Sequence, residues 1–90
     1  MTSSERARLR GEANTLSPII HIGKEGVTEA VLKQADDALS ARELIKGTVL
    51  KNCELTAKEA LNELCEKLGA QPVQAIGRKF TLYREKPEEE

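Results

Sequence analysis

The chain has 90 residues, with 14 Lys and Arg against 15 Asp and Glu, and a formal net charge of -1. That length holds one domain with a thin core and excludes two. Phe80 and Tyr83 are its only aromatic residues of the Phe, Trp and Tyr types, so the core falls to Ile, Leu, Val and Ala, and the scarcity argues against a face of stacked aromatics for nucleic-acid bases.

Residues 2 to about 13 are expected to form a first helix. Thr2-Ser3-Ser4-Glu5 has capping-box spacing, and Leu9, Ala13 and Leu16 recur at helical spacing as a narrow apolar stripe. Arg6 and Arg10 stand one turn apart on another face, with Arg8 nearby. They are either a solvated face or cations set out for a ligand. Gly11 weakens this helix by roughly 1 kcal/mol.

Ile19, Ile20 and Ile22 are β-branched and bounded by Pro18 and Gly23, which suits a short interior strand. The run Gly23-Lys24-Glu25-Gly26 then reads as a turn, and Thr28-Glu29 as a helix start with Thr28 as N-cap. Both glycines allow positive φ. A helix N-terminus carries unpaired N–H groups and partial positive charge, and Lys24 adds a full one. The stretch therefore has the chemistry of a small phosphate clamp, opposed by Glu25; the plain alternative is a tight connection. A P-loop does not fit, because the glycine spacing is too short.

The second helix is expected from Thr28 to about Ala41, with Val31, Leu32, Ala35, Ala38 and Leu39 inward and Lys33, Gln34, Asp36 and Asp37 outward. Glu43 to Lys51 read as a second strand, with Ile45, Gly47 and Val49 on one face and Leu44, Lys46, Thr48 and Leu50 on the other. Gly47 marks a bend or a close approach. Lys46 either snorkels to solvent or reaches a ligand. Thr56-Ala57-Lys58-Glu59 is a capping box that opens a third helix, with Leu55 as a staple against Ala60 and Gly69 at the C′ position. Ala60, Leu61, Leu64, Cys65 and Leu68 form its buried face. Strands follow at Pro72–Ile76 and Lys79–Arg84, joined by Gly77-Arg78 as an antiparallel hairpin with Arg78 and Lys79 at its tip. Those two cations serve either solubility at a turn or a ligand.

The order α-β-α-β-α-β-β contains two β-α-β units, which imply parallel neighbours joined by right-handed crossovers. The expected fold is an α/β two-layer sandwich with a mixed four-stranded sheet. Residues 1–84 form the single domain; they carry 13 basic and 11 acidic side chains, while Glu85, Glu88, Glu89 and Glu90 make residues 85–90 an acidic disordered tail. Cys53 and Cys65 form no disulfide framework or zinc-ligand spacing, and Cys65 is expected in the core. The single His21 lies between isoleucines and reads as structural, with no nucleophile or base beside it, so an enzyme is not expected and neither is a cofactor. Without a signal peptide or a membrane-spanning run, a cytoplasmic protein with no membrane partner is expected.

The run Leu16-Ser17-Pro18-Ile19-Ile20-His21-Ile22-Gly23-Lys24-Glu25-Gly26-Val27-Thr28-Glu29 resembles the opening of CRM domains (chloroplast RNA splicing and ribosome maturation). Ala41–Lys46, Gly69–Gly77 and Thr81–Arg84 fit the same group in the same order, most closely its stand-alone bacterial YhbY-like members. The resemblance implies a fold similar to the C-terminal domain of bacterial translation initiation factor three. It also implies RNA as partner, ribosomal RNA in precursors of the large subunit in particular, with no DNA expected. Gly23, Lys24, Glu25 and Gly26 would correspond to the family's RNA-contacting loop, similar in idea to the backbone clamp of KH domains. Thr28 stands behind that loop; Lys46, Arg78, Lys79, Arg6, Arg8 and Arg10 are further cations whose place beside it is inferred. A ribosomal protein or assembly factor as docking partner is the alternative, motivated by the low net charge and Glu-rich end.

Overall fold

The computed structural model describes residues 2–85. The expected acidic tail therefore lies, apart from Glu85, outside the described residues. The elements are α1 (Ser3–Ala13), β1 (Ile20–Ile22), α2 (Glu29–Arg42), β2 (Leu44–Val49), α3 (Ala57–Leu68), β3 (Gln71–Ile76) and β4 (Lys79–Tyr83), in the expected order.

Local chemistry sets the helix ends. The hydroxyls of Thr2, Thr28 and Thr56 accept from the amides of Glu5, Val31 and Glu59, each satisfying a donor of the first turn. At α3 the Glu59 carboxylate returns a bond to the Thr56 amide, completing the capping box. Those bonds hold the Glu59 carboxyl below its ordinary pKa. Gly69 ends α3 with φ of +65°, a left-handed residue that glycine adopts without steric cost.

The sheet order is β1-β2-β4-β3, with β1 parallel to β2 and β4 antiparallel to both β2 and β3. Two expectations change. β1 is an edge strand, not an interior one. β2 and β3 run parallel but are not neighbours, because β4 lies between them. The reason is visible in burial: Phe80, Thr81 and Leu82 of β4 are buried in succession, so this strand is covered on both faces. β3 is mostly exposed, carries Pro72 and has a bulge between Pro72 and Gln74, all features of an edge.

On one face α2 and α3 cover the sheet, and Ile20, Ile22, Leu39, Ile45, Leu64, Phe80 and Leu82 form the core. Gly47 lies under the Phe80 ring, the close approach that its position implied. α1 packs on the opposite, outer face against β2 and β3, burying Leu9 and Ala13. Cys65 is buried as expected, and burial pushes its thiol up to about 11.

Candidate nucleic-acid interface

Parallel pairing decides what meets at the end of the sheet. β1 and β2 point the same way, and β3 runs with them, so the loops after β1, β2 and β3 emerge at one end. Ligands of open α/β sheets favour the carboxyl ends of strands, where loops are free to vary. Here those loops are the Gly23–Gly26 turn, the segment from Leu50 to Leu55, and the Gly77-Arg78 hairpin connection.

Backbone bonds lock the three together. The Leu50 amide donates to the Ile22 carbonyl at 2.8 Å, and the Val49 amide to the Arg78 carbonyl at 2.8 Å. The Thr48 hydroxyl also donates to the Arg78 carbonyl, at 3.3 Å. Gly23 packs beside the side chains of Leu50 and Asn52, and Gly26 beside Leu55. Lys24, Arg78 and Lys79 thus come to one end, as does Lys51, which sequence reasoning passed over; all four are exposed. The signal for Lys51 was its place just past a strand parallel to β1.

The glycine turn is tighter than a simple clamp. The Gly26 amide donates to the Gly23 carbonyl at 3.0 Å, so that amide is committed inside the turn. Of the two glycines that could take positive φ, Gly26 does, at +72°, and Gly23 does not. Thr28 caps α2 and occupies the Val31 amide at 3.2 Å. The electrostatics are one-sided. Toward α3 the turn borders a recess that holds Lys24 with Glu25, Glu54 and Glu63, which repels anions. On the other side Lys51 follows the neighbouring strand β2, and Arg78 and Lys79 lie one strand beyond, at the hairpin. A polyanion is therefore favoured on the hairpin side.

The other expected cations lie elsewhere. Lys46 sits on the outer face at mid-sheet, half-buried, and its ammonium donates to the Ala13 carbonyl at 3.4 Å. It neither simply snorkels nor stands open, because the C-terminal carbonyls of α1 attract it. Arg6 lies along the β3 edge with Lys58, Pro72 and Val73, the opposite edge from the glycine turn. Arg8 lines a groove with Arg42 and Leu44, at the far end of the sheet. Arg10 is exposed on the same helix. The α1 arginines are thus not part of the loop end, because α1 crosses the other half of the outer face. His21 is exposed on edge strand β1, so it is not the packing residue that its flanking isoleucines suggested. Among the described residues no three His, Cys, Asp or Glu side chains gather as metal ligands, and no helix is long and apolar enough to cross a membrane.

The geometry defines a class: a small mixed-sheet domain that gathers cations on loops at the carboxyl ends of its parallel strands. The chain belongs to the CRS1 / YhbY (CRM) domain family, whose model matches residues 1–84. It is 41% identical over 88 residues to "Probable RNA-binding protein YqeI" of Bacillus subtilis, covering 98% of this chain and 92% of that one. It is 34% identical over 90 residues to "RNA-binding protein" of Haemophilus influenzae, covering 100% of this chain and 89% of the relative. Among solved structures, Staphylococcus aureus protein SAV1595 matches with a TM-score of 0.73 and 38% identity, over 100% of this chain and 94% of that one.

Proposed function

We propose that this protein is a non-enzymatic, cytoplasmic RNA-binding protein that contacts ribosomal RNA and associates with large-subunit precursors during ribosome assembly. The observation that carries this reading is that Lys24, Lys51, Arg78 and Lys79 stand on loops at the same end of the sheet as the Gly23–Gly26 turn. The RNA-binding relatives support it. Phosphate oxygens sit against the hairpin side of the turn, held by Lys51, Arg78 and Lys79 and by the N-terminal end of α2, while Lys24 adds charge from the turn itself. Phe80 is buried and Tyr83 half-buried, so no Phe or Tyr ring stands open as a stacking platform. Recognition then rests on backbone shape and 2′-hydroxyls rather than on base stacking. Such contacts suit structured RNA inside a particle, where many weak contacts add.

Fluorescence anisotropy with a large-subunit ribosomal RNA fragment across a salt series tests the reading. Affinity falls with salt for the wild type, and Lys24→Ala, Arg78→Ala and Lys79→Ala combined reduce the slope by about 2–3, roughly one for each lost contact. Equal slopes and unchanged co-migration with pre-ribosomal particles would sink it. A second reading, docking on a ribosomal protein, is favoured by Ile76 and Leu50, which are 67% and 42% exposed at the same end. It requires association that survives nuclease and depends on these two side chains.

A further inference from the structure

We propose that a recess on the outer face of the sheet is a second phosphate subsite, one that takes a backbone phosphate of the bound RNA. This rests on the RNA-binding reading above. The recess has a volume of about 180 Å³ and is bounded by Asn14, Lys46, Gln74, Ile76, Lys79 and Thr81. The pairing register explains the set. Lys46, Thr81 and Gln74 form one row across β2, β4 and β3, and Thr48, Lys79 and Ile76 form the next row toward the hairpin tip. α1 ends beside the first row, with Asn14 at the lip, and leaves the second open.

Three observations point to an oxyanion. The lining supplies two ammonium groups, two side-chain amides and one hydroxyl, and no carboxylate. This contrasts with the recess between the glycine turn and α3, where three carboxylates face one lysine. Next, Thr81 is fully buried and its Oγ1 has no hydrogen-bond partner. Buried hydroxyls rarely go without one. Lys46 and Gln74 flank it across the strands, so the subsite requires one of these two side chains to move aside before a ligand oxygen meets this donor. Last, the recess is smaller than the roughly 300 Å³ of a drug-sized site and has no aromatic ring on which to stack a base. That size and chemistry favour a phosphate over a base.

Lys46 keeps its capacity for this role. Its bond to the Ala13 carbonyl, at 3.4 Å, uses one of three ammonium donors. The same bond offsets the negative end of the α1 dipole at the recess. Lys79 adjoins Arg78 at the hairpin tip, so the recess continues the cationic end inward. β1 and β4 are two strand spacings apart, about 10 Å, so one RNA backbone can engage the glycine turn and the recess together.

The variant Thr81→Val keeps the shape and removes the donor. The full chain, labelled with ¹⁵N, is titrated with inorganic phosphate and with a hairpin RNA. The wild type is expected to show saturable amide shifts at Asn14, Gln74 and Thr81 with both. Thr81→Val should unfold at an equal or higher urea concentration, yet bind the RNA about tenfold more weakly. Its salt slope should not change, because no charge is lost. Lys79→Gln should lower that slope by about 1 and weaken the same shifts. RNA bound equally by wild type and Thr81→Val, without shifts at the recess, overturns the subsite and leaves the RNA reading intact. Shifts with inorganic phosphate but none with RNA mean an adventitious ion only, and also overturn it. Failure of the wild type to bind RNA at low salt overturns both readings.

Discussion

A Cβ added at Gly47 would overlap the Cζ atom of Phe80 and lie 2.7 Å from its Cε2, so the ring occupies the space that a side chain would need. Phe80 is the largest fully buried side chain and pairs directly with Gly47 across β2 and β4. Gly47→Ala is therefore expected to destabilise by about 2–3 kcal/mol through overpacking, measured by urea unfolding. Phe80→Leu, combined with it, should show a total loss smaller than the sum of the two single losses. Strict additivity would mean that ring and methyl do not compete. That Gly47 marks a close approach was legible from a glycine inside a strand. That Phe80 is its partner was not, because the register between strands 30 residues apart is absent from local sequence. Lys46 shows the same limit: its alternating face was readable, but its carbonyl partner belongs to a helix 33 positions away.

At the scale of elements, the parts with local chemistry were legible and the parts set by competition for burial were not. The α3 boundaries follow from Thr56, Glu59 and Gly69, which act within a few residues of the ends they define. The insertion of β4 between β2 and β3 follows instead from which strand most needs cover on both faces. Two signals were present in the sequence, Pro72 inside a strand and the run Phe80-Thr81-Leu82, and together they put β3 at the edge. The candidate site was half legible for the same reason. The glycine turn and the hairpin cations could be named, while Lys51 and the displacement of Arg6 depend on strand order. α3 also carries a pH-dependent element. Burial raises the Cys65 thiol from 9.0 to about 11. The unfolded chain ionises first, so from pH 9.0 to about 11 it binds fewer protons than the folded chain, and stability falls as pH rises. Below pH 9.0 the thiol contribution is fully present. Urea midpoints of wild type and Cys65→Ala across this window check it: the wild-type curve should fall more steeply, and parallel curves would remove Cys65 as the cause.

Across the whole molecule, the proposed binding loops and the closure of the fold stand at opposite ends of the sheet. The carboxyl ends of β1, β2 and β3 hold the cationic loops; the other end is tied by Arg84, just past β4. Its Nη1 donates to Asp36 Oδ1 at 2.7 Å and to the Leu68 carbonyl at 3.0 Å. Its Nη2 donates to the Asp36 carbonyl at 3.1 Å and to Ser40 Oγ at 3.0 Å. One guanidinium thus joins β4 to α2 and to the last turn of α3. Asp36 is half exposed, so the ion pair itself contributes little. The larger part comes from the carbonyls that would lose a charged donor. Arg84→Met is expected to cost about 2 kcal/mol. Arg84→Lys should recover only part of that, because an ammonium cannot fork between two helices as a planar guanidinium does. Urea unfolding measures both. The same variants separate the two ends functionally. Arg84 is remote from the glycine turn, so Arg84→Met, assayed where it is fully folded, should bind the ribosomal RNA fragment with wild-type affinity and salt slope. A folded Arg84→Met protein with a reduced slope would instead extend the RNA surface to the closing end, and the assignment of the interface to the strand carboxyl ends would fail.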